Sequence, residues 1–179
     1  MRTDAARNLE LVLTTAARML AADPGTTVAM IAAEADVDRR TVYRRFAGRE
    51  ELLAAVYQAR LAAIEQAVEV ARLPEASVVV ALHRYVEEII GVNRKWPVDL
   101  GRWKADPGAR ERRDRVVADV DAFLRRAVDE GVLRSGLPEG WLGAVLGQLL
   151  ALGGRELSEL SAAQAADVVV ETFLRGAGA

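Results

Sequence analysis

The chain has 179 residues, with 24 Lys and Arg against 26 Asp and Glu, for a net charge of −2. It is 51% hydrophobic and 5% aromatic and contains no cysteine, which excludes a disulfide framework and a thiolate metal site. No apolar run has the length of a membrane span and the N-terminus lacks a signal-peptide core, so a soluble cytoplasmic protein with no membrane partner is expected.

Long Ala-, Leu-, Val-, Arg- and Glu-rich segments punctuated by only five prolines favour an all-helical fold. Met1–Asn8 reads as a frayed terminus or arm carrying Arg2 and Arg7. Leu9, Val12, Leu13, Ala16, Ala17 and Leu20 then recur at helical spacing and predict a first helix. Asp23-Pro24-Gly25 breaks it. Thr26 or Thr27 caps a short second helix with a stripe of Val28, Ile31, Ala32 and Ala35.

Only Asp36-Val37 separates that helix from Asp38, which can cap a third by accepting from its first free N–H groups. In the third helix Val42 and Phe46, four apart, anchor the back. Arg39, Arg40, Thr41 and Arg44 point away, flanked by Tyr43 and Arg45. An arginine run alone is usually a solvated surface helix. Two short helices joined by a tight turn are instead the helix-turn-helix signature, and a cationic front suits a DNA major groove.

The pattern Thr27-Val28…Ile31-Ala32…Ala35-x-Val37-x-x-x-Thr41-Val42-Tyr43-x-x-Phe46-x-x-Arg49-Glu50-x-Leu52-Leu53 resembles the N-terminal domain of the tetracycline-repressor (TetR) family of bacterial transcription regulators. The resemblance covers about Leu9 to Tyr57 and agrees in register at its aromatic, turn and cap positions. Three positions depart from the commonest form. Asp36 stands for a turn glycine, and Asp tolerates a left-handed backbone. Arg45 replaces a frequent His and Arg49 a frequent Lys.

The resemblance implies groove or base-edge contacts from Arg39, Arg40, Thr41 and Arg44. It implies phosphate contacts from Thr27, Tyr43, Arg45 and Arg49. The negative net charge is no obstacle, because Val37–Arg49 carries five arginines against one acid, Asp38.

A fourth helix is expected from Arg49 to about Arg72, with Leu53, Val56, Ala63, Ala67 and Val70 inward, until Leu73-Pro74 stops it. It would join a head, residues 1–48, to an effector-binding and dimerisation body, residues 49–179. Glu75 to about Arg94 gives the next helix, with Val78, Val79, Leu82, Val86, Ile89 and Ile90 apolar, ended by Lys95-Trp96-Pro97. A short piece carrying Trp103 follows. Asp106-Pro107 then opens a long helix to about Glu130, with Val116, Val117, Val120, Phe123, Leu124 and Val128 on its face and Gly131 as terminator.

Trp141–Leu152 is apolar nearly all round and must be covered on every side. Ser161 caps a last helix with Ala165, Val168, Val169, Thr172 and Phe173 on its face. In family members the last two long helices pair across a dimer. The resemblance therefore implies a homodimer through about 138–155 and 161–175 that binds a near-palindromic operator in double-stranded DNA.

It also implies a small-molecule effector pocket in the body. The polar and aromatic residues available there are His83, Tyr85, Asn93, Trp96, Trp103 and Gln148, each of which could equally be ordinary packing or surface. With one histidine, no cysteine and no glycine-rich phosphate loop, neither catalytic nor metal-binding residues are assigned, and no cofactor is expected. Two other classes stay open on the residues alone: a helical ligand-binding or interaction protein without operator-specific DNA binding, and an enzyme on a helical scaffold.

Overall fold

The computed structural model describes residues 2–99 and 106–179. Among them the chain forms eight helices: α1 (Arg2–Ala22), α2 (Val28–Glu34), α3 (Arg39–Arg45), α4 (Arg49–Ala71), α5 (Val78–Lys95), α6 (Pro107–Asp129), α7 (Trp141–Glu156) and α8 (Ala162–Ala177). The architecture is all-α; an isolated antiparallel bridge joins Leu133 to Gly178. No helix among the described residues is long and apolar enough to cross a membrane.

The chain divides into two compact units, one comprising Met1–Leu61 with Lys95–Asp106 and the other Ala62–Arg94 with Pro107–Ala179. In the first, Val12, Ala16, Ala17 and Leu20 of α1 meet Val28, Ile31 and Ala32 of α2 in a core shared with Val42, Phe46, Leu52 and Val56. The alanines let the helices approach closely. Asp36, at φ 51, makes the turn between α2 and α3. Its N–H donates to Ala33 O at 3.2 Å and that of Val37 to Ala32 O at 3.0 Å, so the last carbonyls of α2 are satisfied by a Schellman turn with Asp in the left-handed position.

The second unit packs Leu82, Val86 and Ile90 of α5 with Phe123 and Leu124 of α6, Leu146 and Leu150 of α7, and Val169 and Phe173 of α8. α6 ends on a second Schellman turn: Gly131, at φ 71, donates to Val128 O and Val132 to Ala127 O. Arginines tie helices to loops here. Arg94 donates to Leu157 O at 2.6 Å and Leu160 O at 2.9 Å, just past the end of α7. Arg126 donates to Leu73 O at 2.6 Å and Ala76 O at 2.9 Å. Arg112 grips both carboxylate oxygens of Glu65, and these hydrogen bonds hold that carboxyl below the ordinary carboxylate range.

Several expectations are corrected. Residues from Arg2 onward continue α1 instead of forming an arm. α5 starts at Val78, not Glu75, because Arg72 turns left-handed at φ 52 and its carbonyl accepts from both Glu75 N and Ala76 N. Val70, Val79 and Val117, expected inward, are exposed. So are Val168 and Thr172 on α8, where the Thr172 hydroxyl donates back to Val168 O at 2.7 Å. α7 is covered along one stripe only, by Leu146, Leu150 and Gly153, while Trp141 and Leu152 are about half exposed.

Candidate nucleic-acid interface

Seven residues are too few for a helix to hold itself, so α3 depends on its ends and its back. Asp38 Oδ1 accepts from Arg40 N at 2.8 Å and Thr41 N at 3.2 Å. At the other end Phe46 leaves the helix in extended conformation, its N–H donating to Val42 O at 2.9 Å. Val42 and Phe46 are buried, as their spacing required.

With the back fixed, Arg39, Arg40, Thr41, Tyr43, Arg44 and Arg45 are all exposed on one short helix. Arg39 lies over the Tyr43 ring, 5.2 Å from its centroid. The one acid of the segment, Asp38, is turned onto the α3 backbone, which leaves the solvent side strongly cationic. Beside the helix runs a groove of about 800 Å³ lined by Asn8, Leu9, Thr41, Arg44, Arg45 and Glu51, among others.

Thr27 is exposed and caps α2, its hydroxyl accepting from Met30 N at 3.3 Å. Arg49 differs from the other cations, because its guanidinium donates to Pro24 O at 2.6 Å and Thr26 O at 3.3 Å. Two residues escaped the sequence reading. Asn8, assigned to a loose terminus, lines the groove; its place one turn before Val12 was the available signal. Glu51 accepts from Ala47 N at 2.5 Å and so caps the start of α4, as acids in a first turn do.

Of the six residues considered for an effector pocket, His83, Tyr85, Asn93 and Gln148 lie in the second unit. His83 Nε2 lies 2.8 Å from Asp167 Oδ1, and the Asn93 amide donates to Leu150 O at 3.1 Å. Tyr85 is buried, and burial pushes its hydroxyl up to about 12. Gln148 is exposed on α7. Trp96 is buried in the other unit, where its carbonyl accepts from Arg60. Trp103 lies outside the described residues.

A tight-turned helix pair whose second member is capped, anchored behind and cationic in front defines a helix-turn-helix DNA-binding protein. Residues 13–56 match the family described as "Bacterial regulatory proteins, tetR family". Over these residues, which include its N-terminal helix-turn-helix, the chain is similar to the TetR family of bacterial transcription regulators.

The solved structures agree in fold. The TetR-like regulator LfrR from Mycobacterium smegmatis, in complex with proflavine, is 25% identical with a TM-score of 0.72, over 94% of this chain and 96% of that one. The TetR family regulator PfmR from Thermus thermophilus is 24% identical at a TM-score of 0.72, over 92% and 97%. The fatty acid degradation regulator FadR from Bacillus halodurans is 16% identical at 0.63, over 93% and 94%. No curated protein matches the sequence.

Proposed function

We propose that this protein is a homodimeric, ligand-responsive repressor whose two α3 helices enter successive major grooves of a near-palindromic operator. The observation that carries the reading is α3 itself: four exposed arginines on a short helix held by a cap and two buried anchors. Arg39, Arg40, Thr41 and Arg44 read base edges, while Thr27, Tyr43 and Arg45 fix the register on phosphates.

Unburied apolar surface on the last two helices supports the dimer. On α7, Trp141, Val145, Gln148 and Leu152 recur at three- and four-residue spacing along one stripe, and Val168 and Thr172 lie one turn apart on α8. Between these helices is a shallow cavity of about 360 Å³ lined by Trp141, Val145, Leu149, Thr172 and Phe173, of the kind a second copy fills. On this reading Gln148 belongs to the subunit interface, not to an effector pocket.

The effector acts through the body. α4 contributes residues to both compact units, so a ligand that binds one setting of α4 more tightly changes the α3 spacing and weakens one half-site. A relative solved with proflavine supports a small-molecule effector, and Tyr85 is one of the aromatics buried in the body.

Anisotropy titration of a labelled mixed-sequence duplex at two salt concentrations tests the DNA reading. Binding that weakens steeply with salt is expected. Absence of binding by folded dimer would leave a helical ligand-binding protein.

A further inference from the structure

Arg49 stands where the family resemblance implies a phosphate contact, yet its geometry is that of an internal clamp. It is the first residue of α4, and its Nε and Nη2 donate to Thr26 O and Pro24 O across the loop between α1 and α2. That Nε–Nη edge is the one a guanidinium uses to grip an oxyanion with two parallel bonds, and here two carbonyls occupy it. Among the described residues no backbone N–H donates to either carbonyl, so Arg49 supplies what the loop lacks.

Two further hydrogen bonds order the rest of the loop. Gly25 N donates to Asp23 Oδ1 at 2.7 Å, and the buried Thr26 hydroxyl donates to Met19 O at 3.3 Å. The next residue, Thr27, starts α2: its hydroxyl accepts from Met30 N and its carbonyl from Ile31 N.

We propose that Arg49 is a positioning residue, which ties the first turn of α4 to the α1–α2 loop and thereby holds Thr27 and the start of α2 in register with α3. Its effect on DNA passes through Thr27, not through a phosphate of its own. The proposal rests on the DNA-binding reading. It makes Arg49 the link by which a shift of α4 reaches the helix-turn-helix.

The test compares full-length wild type, Arg49→Ala and Arg49→Lys, each confirmed folded at the working temperature by circular dichroism. Binding to a mixed-sequence duplex is followed across a salt series, and amide exchange is followed at Met30 and Ile31. Lysine keeps the charge but lacks the fork that reaches two carbonyls at once. Both variants should therefore lose about tenfold in affinity with an unaltered salt slope. Exchange at Met30 and Ile31 should quicken in both.

Wild-type affinity in Arg49→Lys, no loss in Arg49→Ala, or a slope reduced by about 0.9 with exchange unaltered would make Arg49 a phosphate contact or a bystander and overturn the proposal. If wild type binds no duplex, the DNA reading falls by itself. Exchange then decides the clamp: faster exchange in both variants upholds it, and unaltered exchange overturns it.

Discussion

The Arg39 guanidinium lies over the ring of Tyr43, four residues further along α3 and 5.2 Å away at the centroid. The contact restrains a long flexible side chain at the start of the helix; in the proposed complex that side chain meets base edges and the Tyr43 hydroxyl meets a phosphate. Tyr43 thus has two separable parts. Tyr43→Phe keeps the stacking face and should weaken binding to all duplexes alike by about 1 kcal/mol. Tyr43→Ala should in addition flatten the preference at the base that Arg39 reads. Competition between a selected duplex and mixed-sequence DNA separates the two effects; equal selectivity in both variants would remove Arg39 from the set of readers.

Arg44 and Arg45 are adjacent in sequence but leave α3 about 100° apart, and the proposed reading gives them different partners, a base edge for Arg44 and a phosphate for Arg45. Arg44→Ala, like Arg40→Ala, should relax preference at particular base pairs by about 1–3 kcal/mol. Arg45→Ala should weaken every sequence alike and lower the salt slope by about 0.9. Titrations against single-base variants of a selected site provide the comparison.

Gly153 lies where α7 approaches α5 and α8 closely. A Cβ there would stand 2.7 Å from Val169 Cγ2 and 3.5 Å from Ile90 Cδ1. Gly153→Ala should therefore destabilise by about 1–3 kcal/mol, since the buried valine has little room to move. At Gly91 on α5 a Cβ meets nothing within 4 Å, and Gly91→Ala should instead stabilise by about 0.5–1 kcal/mol through helix propensity. Thermal denaturation of the two variants should shift in opposite directions.

The proposed dimer face is open to a charge test. Leu152 on α7 and Val168 on α8 are 47% and 43% exposed, so a carboxylate at either leaves the subunit core intact. Leu152→Glu and Val168→Glu should each reduce the mass measured by sedimentation to that of one chain, with helicity retained. DNA affinity should fall at least tenfold, because a single half-site no longer gains from its twin. A variant that stays dimeric would move the interface elsewhere.

What the sequence disclosed was mainly local chemistry. Asp38 could be placed as a cap, the α2 cap narrowed to Thr26 or Thr27, Asp36 placed as a left-handed turn and Pro107 as a first-turn proline, because each acts on backbone within a few residues of itself. The cationic front of α3 followed from its buried back by helical geometry alone. The roles of Arg49, Arg94 and Arg126 did not: each guanidinium serves carbonyls 25, 63 or 53 residues away, and nothing in an arginine's own neighbourhood marks it as a clamp. On α7 apolar composition all round erased the periodicity that would have told the covered stripe from the open one. The effector residues were the least legible, since a pocket is defined by what several helices leave unfilled; His83 and Asn93 are held by Asp167 and Leu150 O within their own unit.

The most direct test of the central claim is selection of the purified protein against a randomised duplex library, read by sequencing, with Arg40→Ala and Arg44→Ala carried in parallel. The account predicts a two-fold symmetric consensus with half-site centres about 34–36 Å apart or somewhat more, and each substitution should blur defined positions in both halves. Enrichment of no sequence by folded, dimeric protein would contradict it, as would a consensus that both substitutions leave unchanged.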